Sequence, residues 1–323
     1  MPLIPESSYR APLCFRNGHI QTVCASLFRK VPGARYRRRR IQTPDGDFLD
    51  LDVSSTGATK AAVVLHGLEG DSERAYVRGM VRALNRAGWD AVAMNFRGCS
   101  GEINRRLRFY HSGSTDDLDT VVSHLIAERS YSDLALVGFS LGGNVVLRYL
   151  GERGPDVPER IRGAVAFSVP CELVTGAKVF EAPANTLYLK RFLRMLRGKI
   201  REKTRLFPQL ITDEGFETIK NFKDFDDRYT APIHGFLDAE DYWRQTSSKP
   251  LLDRISVPTL LVNAADDPFL SPECYPAAEA EQNPSFFLEI PRNGGHVGFV
   301  AFQPSGEYWS ESRAASMLNN LRR

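Results

Sequence analysis

A chain of 323 residues with 42% hydrophobic and 25% charged side chains has the make-up of an ordinary globular protein and is long enough for one large α/β domain carrying an insertion. Its 42 basic and 39 acidic side chains leave a net charge of only +3, which gives no reason to expect nucleic acid as a partner. Five cysteines (Cys14, Cys24, Cys99, Cys171 and Cys274) are odd in number, widely spread and free of any Cys-x-x-Cys pair, so neither a disulfide framework nor a zinc ribbon is expected.

Reduced thiols suit the cytoplasm, and a cytoplasmic location is the expectation. Residues 1–24 lack the continuous apolar centre of a signal peptide. No apolar run approaches the twenty residues of a membrane-spanning helix, although peripheral contact with lipid stays open. The oligomeric state is not written in the sequence.

The first feature along the chain is a basic run of Arg35, Arg37, Arg38, Arg39 and Arg40. It reads either as a patch for phosphate or anionic lipid or as a solvated strand, and the strand is preferred. Pro44-Asp45-Gly46-Asp47 is a turn signal, and residues 48–53 partly alternate as an antiparallel return strand would. A basic edge strand also discourages edge-to-edge pairing.

Strands and helices then alternate. Residues 61–65, 89–94, 134–137 and 163–168 are short apolar strands. Helical spacing covers 77–87, 116–128 and 144–150, and Asp116 and Asp117 fall in a first turn, where the helix dipole favours acids. This order predicts a mainly parallel sheet covered on both faces. From residue 171 to 248 strand signals are missing, and residues 187–200 have the spacing of an amphipathic helix. This stretch reads as a helical insertion over the strand ends, which assigns 1–170 and 249–323 to one core domain. The alternation resumes with a strand over 259–262, a helix near 272–281, a strand over 286–290 and a final helix over about 307–321.

Gly138-Phe139-Ser140-Leu141-Gly142 is a Gly-x-Ser-x-Gly motif fed by an apolar strand and followed by an apolar helix. A sharp strand-to-helix turn lifts the serine hydroxyl above the sheet, and the flanking glycines leave room where a Cβ would clash. The plain alternative, a tight turn with an incidental serine, does not explain why strand, turn and helix agree. A dinucleotide site would need Gly-x-Gly-x-x-Gly, which is absent.

A serine nucleophile in this setting requires an acid and then a histidine further along the chain. Of six histidines, only His234 and His296 follow Ser140, and only His296, in Asn293-Gly294-Gly295-His296-Val297-Gly298, follows a late strand. The acid should end the preceding strand, where Asp266 and Asp267 stand side by side before Pro268. Neighbours on an extended segment point opposite ways. Asp267 is chosen because the usual turn places the acid directly before the proline, and Asp266 then braces the loop. The oxyanion hole calls for two backbone N–H groups, assigned to Leu141, after the nucleophile, and to Leu68 in the loop His66-Gly67-Leu68-Glu69-Gly70. His66 reads as structural. Arg97 reads as a loop brace rather than a substrate anchor.

With these residues placed, the sequence resembles the YheT-like branch of the α/β-hydrolase superfamily, also called the AB hydrolase 4 family. The markers run in order: Arg16-Asn17-Gly18-His19-Ile20-Gln21-Thr22; the 44–47 turn; the 66–70 loop; Asn95-Phe96-Arg97-Gly98-Cys99-Ser100-Gly101-Glu102; Tyr110-His111-Ser112-Gly113; the elbow extended to Gly143-Asn144; Phe225-Asp226-Asp227; Asn263 through Phe269; and Gly294 through Phe299. The resemblance implies an α/β-hydrolase fold with a helical lid. It implies a carboxylic ester hydrolase working on a small-molecule ester, with no cofactor and no metal. Alcohol acyltransfer is the enzymatic alternative. A non-catalytic ligand-binding protein on the same fold is the alternative from another class.

Overall fold

The computed structural model describes residues 2–128 and 131–321. Its frame is one nine-stranded sheet: β1 (Leu3–Ile4), β2 (Arg37–Gln42), β3 (Phe48–Ser54), β4 (Lys60–Leu65), β5 (Asp90–Asn95), β6 (Asp133–Phe139), β7 (Ile161–Phe167), β8 (Thr259–Val262) and β9 (Phe286–Glu289), in the order β1-β9-β8-β7-β6-β4-β5-β3-β2. Pairing is parallel from β1 to β5 and antiparallel only where β3 meets β5 and β2.

Strand side chains alternate between two cores. In β4, Ala61, Val63 and Leu65 enter one cluster while Ala62 and Val64 enter the other. The first cluster takes Leu118 and Val121 of α3 (Thr115–Ala127) and Val145 and Val146 of α4 (Leu141–Arg153). The second takes Val77 and Met80 of α2 (Ala75–Arg86) and Ala314 and Leu318 of α11 (Trp309–Asn319). Burying a Val, Leu or Met side chain contributes about 1.5–3 kcal/mol. Two apolar faces on each strand are what a parallel sheet between helix layers needs.

The basic run lies on β2, opposite the acids of β3. Arg38 faces Asp52 and Arg40 faces Asp50 in the strand register, each through two hydrogen bonds of 2.8–2.9 Å. Arg39 reaches Glu128 at 2.6 Å. The run is thus largely neutralised by its own protein, in keeping with the strand reading.

Two elements were not foreseen. One is the short edge strand β1, which pairs with β9. The other is α1 (Gly18–Leu27), capped by the Asn17 side chain, which accepts from the Ile20 N–H at 3.1 Å. The helix expected over 272–281 divides into a 3-10 turn (Pro272–Cys274) and α10 (Ala277–Gln282). Pro276 keeps Tyr275 out of the helical region, and the turn ends there.

Between β7 and β8 stand only helices among the described residues: α5 (Leu173–Val179), α6 (Thr186–Leu206), α7 (Phe222–Phe225), a π turn (Asp226–Thr230), α8 (Ala231–His234) and α9 (Ala239–Thr246), with 3-10 turns between. Leu189, Leu193, Leu196 and Ile200 of α6 pack with Phe216, Phe225 and Phe109 in a cluster separate from the two sheet cores.

Candidate active site

Ser140 joins β6 to α4 with φ 52° and ψ −121°. A non-glycine residue costs about 1–3 kcal/mol in such a conformation and persists only where its surroundings over-determine it. They do so here. A Cβ on Gly138 would come within 2.5 Å of the Gly142 carbonyl oxygen, and one on Gly142 would run into the carbonyl oxygen of His66. The strain extends beyond the elbow. Glu69, Ser140, Ser168, Val297 and Phe299, the non-glycine residues with positive φ among those described, all lie in loops at the carboxyl ends of β4, β6, β7 and β9.

These loops bring the sequence-selected side chains together. His296 Nε2 lies 2.9 Å from Ser140 Oγ. His296 Nδ1 lies 2.9 Å and 3.1 Å from the two Asp267 carboxylate oxygens. A carboxylate only accepts, so Nδ1 carries the hydrogen and Nε2 is left to accept from the serine hydroxyl. The Asp267 side chain is fully buried, and its Oδ1 also accepts from the Phe269 N–H at 2.9 Å. Asp266 points the other way. Its carboxylate accepts from the Gly295 N–H at 2.9 Å and from Asn293 at 3.1 Å, and so braces the histidine loop.

Leu68 and Leu141 both border the space above Ser140, and neither N–H has a hydrogen-bond partner among the described residues. Neighbouring groups fix them. The Gly67 N–H donates to Tyr76 Oη at 3.0 Å, and the Glu69 N–H donates to Tyr110 Oη at 2.7 Å. His66 is part of this frame. Its Nδ1 donates to the Gly67 carbonyl at 2.7 Å and its Nε2 accepts from the Phe96 N–H at 3.1 Å. Burial pushes its pKa down to about 3, so it stays neutral.

The N-terminal marker supplies support that no sequence pattern assigns. Thr22 Oγ1 of α1 accepts from the His296 N–H at 2.9 Å. Gln21 Oε1 accepts from the Val300 N–H at 3.0 Å and from Tyr9 Oη at 2.9 Å. A Cβ on Gly18 would collide with the Asp266 carbonyl. Ser168 Oγ accepts from the Val297 N–H at 2.9 Å. Arg97 is 2% exposed and pairs with Asp117 at 2.7 Å, Asp45 at 2.9 Å and Asp47 at 3.0 Å, so it braces loops and has no valence left for a ligand.

The alpha/beta hydrolase fold model matches residues 61–301. The Escherichia coli (strain K12) protein named "Putative esterase YheT" is 37% identical over 94% of this chain and 91% of its own length. The chain belongs to the α/β-hydrolase family, in its YheT-like branch. Human "Phospholipase ABHD3" is 29% identical over 93% of this chain and 75% of its own. The Pyrococcus furiosus esterase Pf2001 superposes with a TM-score of 0.61 at 19% identity, covering 91% of this chain and 95% of that one. That structural likeness speaks for the fold alone. Kinship of this extent makes the chain a carboxylic ester hydrolase.

In this α/β hydrolase a cavity of about 290 Å³ opens above Ser140 and His296. Leu173 and Ala177 of α5, Phe180 at its C-terminal end, Phe192 and Leu196 of α6, Trp243 of α9 and Phe269 give it an apolar wall. The α6 stripe is divided in use: Phe192 and Leu196 reach the cavity, Leu189 and Leu193 pack with Leu196 and with Phe109 of the sheet domain, and Leu187 is 81% exposed. No helix among the described residues is long and apolar enough to cross a membrane. No group of three or more His, Cys, Asp or Glu among them could hold a metal ion.

Proposed function

We propose that this protein is a serine carboxylesterase that cleaves esters of short- to medium-chain acyl groups or of lipids through an acyl-enzyme on Ser140. His296 takes the hydroxyl proton as Ser140 Oγ bonds to the ester carbonyl carbon, and the carbonyl π electrons move onto oxygen. Asp267 holds the imidazole in the required tautomer and stabilises the imidazolium. The N–H groups of Leu68 and Leu141 receive the oxyanion, an interaction typically worth about 10²–10³ in rate per donor. The C–O bond to the alcohol breaks and His296 protonates that alcohol. Water, deprotonated by His296, then attacks the acyl-serine, and Ser140 regains its proton as the acid leaves.

The observation that carries this reading is the unbroken hydrogen-bonded relay from Asp267 through His296 to Ser140 beside two unpartnered amides. The segment 171–248 serves as a lid, and its apolar wall against the cavity suits an acyl chain. Ser140→Ala is expected to abolish hydrolysis of p-nitrophenyl esters and labelling by a fluorophosphonate probe while leaving the melting temperature within about 2 °C. Retained turnover refutes the assignment. Graded acyl lengths then give the chain preference, and product analysis with ethanol present separates hydrolysis from alcohol acyltransfer.

A further inference from the structure

Glu69 follows Leu68, one of the two proposed oxyanion donors, and its backbone is held at φ 51°. Its N–H, its carbonyl and one carboxylate oxygen are all held. Its N–H donates to Tyr110 Oη at 2.7 Å, and its carbonyl accepts from Arg74 Nη2 at 2.8 Å. Its Oε1 accepts from Tyr110 Oη at 2.8 Å and from Lys199 Nζ at 2.7 Å.

Lys199 comes from elsewhere. It lies on α6, and both its side chain and that of Glu69 are 7% exposed. Among the described residues this is the one ion pair that joins the 171–248 segment to the sheet domain. The ammonium also stands 4.5 Å from the Tyr110 ring centroid and 3.1 Å from Cys99 Sγ. Burial opposes its charge, yet Cys99 and Glu69 beside it leave its pKa raised above the ordinary lysine value. A buried ammonium without its carboxylate is strongly unfavourable, so α6 cannot lift away without breaking a costly contact. Nor can Glu69 relax from positive φ while its carboxylate is anchored. Rotation of that residue would swing the Leu68–Glu69 peptide and with it the loop that aims the Leu68 N–H.

We propose that Lys199 is a positioning residue: by anchoring Glu69 from the helical insertion, it makes the aim of the oxyanion loop depend on α6 being seated over the site. This rests on the reading of Leu68 as an oxyanion donor. It gives the insertion a part in the chemical step as well as in shaping the cavity.

The test compares Lys199→Met and Lys199→Arg with the wild type on p-nitrophenyl butyrate, with a thermal melt of each protein. Lys199→Met is expected to lower kcat by about 10- to 100-fold, short of or equal to the loss of one whole donor, with KM within about threefold. Lys199→Arg, which keeps a cation at the same place, is expected to recover kcat to within about threefold of wild type. A folded Lys199→Met protein whose kcat stays within twofold of wild type, or whose loss lies wholly in KM, overturns the proposal. If Lys199→Met does not fold, Glu69→Asp carries the test, since it keeps both charges and only withdraws the carboxylate by one methylene. The same fall in kcat supports the coupling, and an unchanged kcat overturns it. Fluorophosphonate labelling of wild-type Ser140 separates the layers. Absence of labelling overturns the underlying site assignment and the coupling together, whereas labelling with indifferent variants overturns the coupling alone.

Discussion

In β4 and β6 every central side chain is aliphatic and fully buried, and the two faces of each strand feed two continuous cores. In the 171–248 segment the apolar clusters are small, and buried polar ties fasten the helices to the sheet domain. Lys203, fully buried, donates to the carbonyls of Asn104 and Arg106. Tyr242 Oη bonds Ser112 at 3.0 Å, and the Asn144 side chain donates to the carbonyls of Ser112 and Thr246 at 2.9 Å each. The sheet resists change through many interchangeable apolar contacts, whereas the insertion adds specific buried polar ties to a smaller apolar cluster shared with Phe109 of the sheet domain. Side chains that would perform chemistry stand at the sheet's loop ends, and those that shape the cavity come from both regions.

The comparison is broken most severely at the sheet ends. His296→Ala is expected to lower turnover by about 10⁴- to 10⁶-fold with little change in melting temperature, because the loop is held by Asp266, Thr22 and Ser168 rather than by the imidazole. A calorimetric scan beside an ester assay checks both halves. Gly142→Ala attacks the same region through packing. Its new Cβ meets the carbonyl oxygens of His66 and Leu65, so a stability loss of about 1–3 kcal/mol together with loss of activity is expected in a denaturant titration.

Lys203→Met probes the other region. The buried Asn104 carbonyl loses its donor, at a cost of about 1–3 kcal/mol, and the Arg106 carbonyl keeps only the Asn104 amide. Hydrogen exchange is expected to rise in α6 and in residues 104–108 while β4 to β7 keep their protection. Equal loosening of the sheet would show that the two regions melt as one. Thr22→Val removes the acceptor for the His296 N–H at nearly constant volume. A fall in kcat of about tenfold is the expected outcome, since small displacements of a reacting group are costly, with a stability loss of about 1 kcal/mol for the unpaired N–H.

The smallest effect is a slope with pH. Burial holds the folded pKa of His66 and of His111 down at about 3 and that of His234 at about 2, against about 6.5 in the unfolded chain. Their stabilisation is complete above about pH 6.5 and is lost as pH falls, because the unfolded chain binds the protons first. Asp226, on the insertion's π turn, has the opposite sign. Burial raises it to about 7, although Thr230 and Trp243 donate to it. Its contribution is complete below the ordinary carboxylate pKa of about 3.9 and is lost as pH rises through 7. Three histidines outweigh one acid, so the melting temperature is expected to fall between pH 7 and pH 5. Asp226→Asn, by removing the opposing group, is expected to steepen that fall. Parallel pH profiles for the two proteins would refute this account.

Much of the frame is legible without coordinates. The strand over residues 259–262 ends where the structure ends it, and most of the foreseen helices and strands of the sheet domain fall within a few residues of expectation, because alternation and helical spacing are local properties. The apposition of Ser140, His296 and Asp267 was also within reach, since each stands in a strand-end loop whose order along the chain is constrained. Most of what escaped has no local signal. Asn17 caps α1, and that cap could have revealed the helix. Nothing near Thr22, however, says that it will meet a loop 274 residues away. Ser168 reads as the last residue of a strand, and its bond to Val297 depends on two loops curling toward each other. Lys199 reads as one more cation on a basic helix.

The sequence by itself determined the layered sheet and the chemical types of the site residues, because period-2 and period-3.6 burial and the Gly-x-Ser-x-Gly turn are enforced by neighbours along the chain. Only the tertiary structure decided which hydroxyls hold the histidine loop, which lysine is buried against Glu69, and how α1 underpins the site. Those outcomes depend on hydrogen bonds between segments far apart in sequence, whose partners are chosen by the packed shape of the whole molecule.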